Sequence, residues 1–159
     1  MKFSTKKHWC VDGTFRSVSH LYLQLFSIHA FEGDKLIPLI YCLLPAKTRI
    51  IYSEVILALK DKTNELTTIL LPELITCDFE SGLIASIRLE FPTACIRGCY
   101  VHFCQAVYRK VQILGLSQFY TSEENNKIYI RKLLALAFIP VELIPQTFQD
   151  LKHECPDEL

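Results

Sequence analysis

An α/β fold built on a five-stranded mixed sheet is what this sequence predicts, and three observations predict it. Short apolar runs with strand-type alternation fill the first 44 residues. The apolar period then changes from two to that of a helix. Two more short apolar runs, 74–77 and 94–97, each follow a helical stretch, which is the pattern of parallel strands joined by crossovers.

The elements follow in order. Residues 8–11 are a short apolar strand. Residues 20–31 carry Leu21, Leu23, Leu25, Phe26 and Ile28, partly alternating, and read as a second strand. Gly33-Asp34 is a hairpin turn. Residues 36–44 are a nearly continuous apolar strand in which Pro38 marks an edge or a bulge. These three strands form an antiparallel meander. Ser53 reads as an N-cap with Glu54 in the first turn, opening a helix to about Lys60 with Val55 and Leu59 on its stripe. Residues 74–77 are a fourth strand ending at Asp78. Ser81 opens a second helix with Ile84, Ile87 and Phe91 on one face, stopped by Pro92. Residues 94–97 are a fifth strand before Gly98.

The last third reads as helical. Val101, Cys104, Tyr108 and Val111 share a face up to Gly115. Residues 117–126 read as a polar connection. Ile130, Leu133, Leu134, Ala137 and Phe138 mark another helix ending before Pro140. Pro145 opens a last helix to about Leu151.

Composition narrows the function classes. The chain has 159 residues, 50% hydrophobic, 21% charged and 11% aromatic, which supports a real core. Its 17 basic and 17 acidic residues cancel, so strong autonomous binding to nucleic-acid phosphates is not expected. A local basic patch at Lys2, Lys6, Lys7 and Arg16 stays open. No apolar stretch follows the first lysines, so no signal peptide is expected. No apolar run approaches about 18 residues, so no membrane-spanning helix is expected. The seven cysteines have no regular spacing and read as reduced and partly buried. The tail 156–159 has a faint likeness to a retention signal and reads as chance.

Two acids carry the chemistry. Asp12 closes the first apolar strand against Gly13, and Asp78 closes the fourth. A carboxylate at the end of a buried strand is costly unless it is paired or binds a cation. The order β-β-β-α-β-α-β is the plan of a ribonuclease-H-like domain, in which the first and fourth strands are neighbours. Asp12 and Asp78 would then face each other and could share Mg²⁺. The other reading keeps Asp12 as a turn residue and Asp78 as a helix cap. Glu80 reads as a helix-dipole residue or as support for the metal site. Cys99 and His102 form Cys-x-x-His, half of a zinc motif without an obvious second pair, His153 and Cys155 being the nearest. Packing or an orienting contact is expected there rather than zinc. Arg97, Arg109 and Lys110 read as solvated charges or phosphate contacts.

Asp-Gly-Thr-Phe at 12–15, the strand with Pro38, Asp78-Phe79-Glu80, Phe91-Pro92, and Gly98-Cys99-Tyr100-Val101-His102-Phe103-Cys104-Gln105-Ala106 with Tyr108-Arg109 resemble the Mutator-like element (MULE) transposase domain. The resemblance runs from about His8 to Leu151. It implies an acidic catalytic triad whose first two members match Asp12 and Asp78. It implies DNA transposition with Mg²⁺ or Mn²⁺, transposon ends as the DNA partner, and a nuclear location; homo-oligomerisation stays open. It divides the chain into a core, 1–98, and the start of a helical insertion, 99–159. The family's third acid lies in a stretch like Asn-Asn-x-x-Glu. Here Asn125-Asn126 is followed by Lys127-Ile128-Tyr129, with Tyr129 where the acid would be. Glu123, Glu124, Glu142 and Glu154 are available in principle, and are expected to be solvated or capping. The expectation is therefore a core incomplete as a catalyst in isolation, with a transposon-derived, non-enzymatic interaction protein as the alternative. A third reading keeps a ribonuclease-H-like nuclease whose last acid is Glu142 or Glu154.

Overall fold

The computed structural model describes residues 5–15 and 18–155. Lys2 and Arg16 of the expected basic patch, and the tail 156–159, lie outside the described residues. The chain divides into two compact units, with the boundary between Cys99 and Tyr100.

The first unit is a mixed five-stranded sheet with two helices. The strands are β1 (His8–Thr14), β2 (Gln24–Glu32), β3 (Lys35–Leu44), β4 (Leu74–Cys77) and β5 (Cys95–Gly98). Their order across the sheet is β3-β2-β1-β4-β5. β1, β2 and β3 form the expected antiparallel meander, and β4 and β5 join in parallel. The β2–β3 hairpin closes at Glu32 and Lys35, with Gly33 at φ 61°, a conformation glycine reaches without steric cost. β3 is an edge strand. Its register slips between Ile28 and His29, whose partners are Ile40 and Pro38. Pro38 thus sits where both an edge and a bulge excuse its missing N–H.

Two helices cover one face, α1 (Arg49–Glu65) and α2 (Ser81–Glu90). Trp9, Val11, Phe26, Ile28, Ile75 and Cys77 from the sheet pack with Tyr52, Ile56, Leu83, Ile87 and Phe91 into one core. Trp9 meets Phe91 edge to face at 5.3 Å, a favoured ring geometry. Lys60 of α1 bonds the carbonyl and, at 2.9 Å, the carboxylate of Glu90 on α2.

The expected start of α1 is corrected. Thr48, not Ser53, is the N-cap, its hydroxyl accepting from the Ile51 N–H at 3.3 Å. Ser53 lies inside the helix, and its hydroxyl reaches Ser86 of α2 at 3.1 Å. β2 starts at Gln24 rather than at residue 20, because a turn, Tyr22 N–H to Ser19 carbonyl, occupies the preceding residues.

The second unit, in its described residues, is helical: α3 (Tyr100–Ile113), α4 (Ser117–Ser122), α5 (Glu124–Ala135) and α6 (Ile144–His153), with 3-10 turns at Leu136–Phe138 and Val141–Leu143. Gly115, at φ 76°, follows α3. The expected polar connection at 117–126 is corrected to helix. Phe119 and Asn126 are buried there, and the Asn126 amide donates to the Phe119 carbonyl at 2.9 Å. A side-chain bond of this kind lets polar residues turn inward. The expected α3 stripe buries Val111 and leaves Val101 exposed. No helix of the described residues is long and apolar enough to cross a membrane.

Candidate functional site

The parallel register of β1 and β4 pairs His8 with Leu74, Trp9 with Ile75 and Cys10 with Thr76. That pairing ends at Cys10 and Thr76; Asp12 comes two residues later within β1, and Asp78 comes two residues later, just past the end of β4. Neighbouring strands lie ~4.8 Å apart. Trp9, Val11, Ile75 and Cys77 point into the core, so His8, Cys10, Asp12 and Thr76 fall on the opposite side. The bond between His8 Nε2 and Thr76 Oγ1, at 2.9 Å, shows that face being shared across the strand pair.

Backbone N–H groups orient each acid. Gly13 N–H donates to Asp12 Oδ1 at 2.9 Å, and Glu80 N–H donates to Asp78 Oδ1 at 3.2 Å. Asp12 is paired with Ser27 of β2, whose hydroxyl donates to the Asp12 carbonyl at 3.4 Å. The turn after Asp78 is held by close packing: a Cβ on Gly98 would meet the Phe79 ring at 2.6 Å, and one on Gly82 would meet the Lys47 carbonyl at 2.7 Å. Lys47 Nζ in turn sits 3.7 Å above the Phe15 ring. The segments after β1, before α1 and after β4 therefore meet.

Glu80 is the N-cap residue of α2, but its side chain makes no capping bond. It interacts instead with the Tyr52 side chain. Burial raises the Glu80 carboxyl above its ordinary range; the Tyr52 bond and Lys47 oppose that, and Asp78 adds to it. Burial above all keeps Tyr52 protonated, helped by Glu80 and Asp78. Cys77 is pushed up to about 11, first by burial and then by Asp78 and Cys99. Gln24, fully buried on β2, donates from Nε2 to the Tyr52 hydroxyl oxygen at 2.6 Å. Gln24 and Tyr52 were not foreseen from sequence. The available signal was a lone amide inside an apolar run.

The other candidates lie elsewhere. Cys99 ends the first unit, and His102 belongs to the second, on α3. Among the described residues, no three of His, Cys, Asp or Glu gather closely enough to hold a metal ion. Glu124 pairs with Lys127 at 3.3 Å and Arg131 at 3.1 Å, and Glu154 pairs with Lys132, all within the second unit. Glu142 lies in a 3-10 turn, and Glu123 is the residue before α5, its side chain making no capping bond. Tyr129 is half-buried, its hydroxyl pushed up to about 12 by burial and by Cys155. Lys6 pairs with Glu32, and Lys7 with Glu73 at 3.2 Å, so both described lysines of the expected patch have acidic partners. Arg97, Arg109 and Lys110 are exposed.

The donor set at the two strand ends consists of carboxylate oxygens, which suit a hard divalent cation that keeps several waters. Comparison with curated proteins finds no match. A family model of the MULE transposase domain matches residues 8–106, well over half the chain.

Proposed function

Because this chain belongs to the MULE transposase domain family and so originates in DNA transposition, we propose that residues 1–98 are a ribonuclease-H-like transposase core. In it Asp12 and Asp78 would hold Mg²⁺ or Mn²⁺. The observation that supports this is the parallel pairing of β1, which carries Asp12, with β4, which Asp78 directly follows. A divalent cation bound there supplies charge stabilisation to the oxygens of an in-line phosphoryl transfer. The protein's part is position. Gly13 and Glu80 N–H groups aim the carboxylates, and the glycine-packed turns hold the strand ends. Residues 99–159 read as the start of the family's helical insertion, with transposon ends as the DNA partner and the nucleus as the location.

Two carboxylates stand where the family uses three, so the chain alone is read as an incomplete catalyst. Glu124 and Glu154 of the second unit are engaged by its own lysines and arginine. That engagement favours a second reading, a transposon-derived interaction protein that no longer depends on cleavage.

Mn²⁺ titration followed by electron paramagnetic resonance tests the site. Asp12→Asn and Asp78→Asn are each expected to abolish binding, and unchanged affinity in both would sink the two-carboxylate centre. Plasmid nicking tests the incompleteness. Little or none is expected with Mg²⁺ or Mn²⁺. Robust cation-dependent nicking that disappears in Asp12→Asn would show a complete catalyst instead.

A further inference from the structure

Behind the two acids runs a line of polar groups that the proposed chemistry does not use. Gln24 and Tyr52 are 0% and 1% exposed. Such groups are costly to bury and are kept only with partners. Gln24 Nε2 donates to the Tyr52 hydroxyl at 2.6 Å, and Tyr52 and Glu80 interact through their side chains. At one end, Gln24 Oε1 lies so close to Gly13 that a Cβ there would overlap it. Gly13 is the residue whose N–H holds Asp12. At the other end, Glu80 is the residue whose N–H holds Asp78.

We propose that Gln24, Tyr52 and Glu80 form a buried positioning relay that fixes the strand ends carrying Asp12 and Asp78 at one separation. The three act through Gly13 and the turn after β4, so they are positioning residues. Two like charges at neighbouring strand ends repel, and a restraint from β2 and α1 holds them against that repulsion. Stability alone does not account for the arrangement. Gln24 Oε1 and Glu80 Oε1 are buried without a hydrogen-bond partner, and apolar side chains of similar shape would avoid that desolvation. The relay's purpose rests on the reading of Asp12 and Asp78 as cation ligands; its geometry does not.

The test uses the full chain with Tyr52→Phe, Glu80→Ala and the double variant. Glu80 is only half-buried, so its variant folds even where Tyr52→Phe does not. Amide hydrogen exchange is read by NMR at position 13, at position 80 and at Ile28 as a core reference, alongside Mn²⁺ affinity. Each single variant is expected to speed exchange at both 13 and 80 with Ile28 unchanged, and to weaken Mn²⁺ binding about tenfold or more, as loss of an outer-shell partner does. The double variant is expected to be no worse than either single one, the mark of groups acting in series. Exchange at position 13 unmoved by Glu80→Ala overturns the relay, because a merely local role at Glu80 does not reach β1. If the unaltered chain binds no Mn²⁺, the metal reading falls and exchange alone decides: coupled loss at 13 and 80 upholds the relay, and its absence sinks it.

Discussion

Gly13 shows how one missing methyl shapes the candidate site. Gln24 cannot swing away, since its amide is fully buried and tied to Tyr52. Gly13→Ala is therefore expected to overpack the site by about 1–3 kcal/mol, seen as a lower urea midpoint; an unchanged midpoint would mean that the Gln24 amide relocates freely. His8 carries a pH dependence. Burial, and then Arg97, holds its pKa below the ordinary 6.5, so the fold favours neutral imidazole. The unfolded chain takes up a proton first as pH falls through 6.5, and stability drops from there until the folded pKa is passed. His8→Gln should flatten that drop in unfolding free energies measured between pH 7.5 and 5.5. A drop of the same size in the variant would assign it to another group. Asp78 was legible as the acid that follows a strand because an apolar run announces it locally. Asp12, expected to close the first strand, lies instead inside β1, which runs on through Gly13 to Thr14. Gln24 and Tyr52 were not legible, since nothing beside them in sequence names their partners.

At the scale of elements, caps and edges decide the boundaries. Pro38 foretold both the edge position of β3 and its bulge, because a residue without an N–H fits few places in a sheet. The start of α1 was misread because Ser53 and Thr48 are both competent caps. Thr48 is the residue with extended backbone, φ −90° and ψ 155°, which lets its hydroxyl turn back to Ile51. Thr48→Ala should cost about 1 kcal/mol by chemical denaturation. Ser53→Ala instead removes the contact to Ser86, and a larger loss there than at Thr48 would reverse the assignment. Residues 117–126 were misread for a related reason. Their composition is polar, but Phe119 and Asn126 face inward, and a single buried pair outweighs a polar average.

At the scale of the molecule, the two units differ in core. The first packs a continuous set from Trp9 to Phe91. Among the described residues of the second, only Val111, Phe119, Asn126, Ile130, Leu134 and Leu151 are buried. The helical unit has less apolar area holding it. Ellipticity at 222 nm is expected to begin falling at lower urea than the fluorescence of Trp9, the chain's one tryptophan, buried in the first unit. Coincident transitions would show a single cooperative molecule. Strand alternation, turn residues and element order are local properties, written in neighbouring residues, so the sequence by itself determined the meander, the parallel pair and the two candidate acids. What stands behind those acids was decided only by tertiary structure. The partner of a buried amide depends on how α1 sits on the sheet, and that is set by the packing of side chains from five strands and two helices at once.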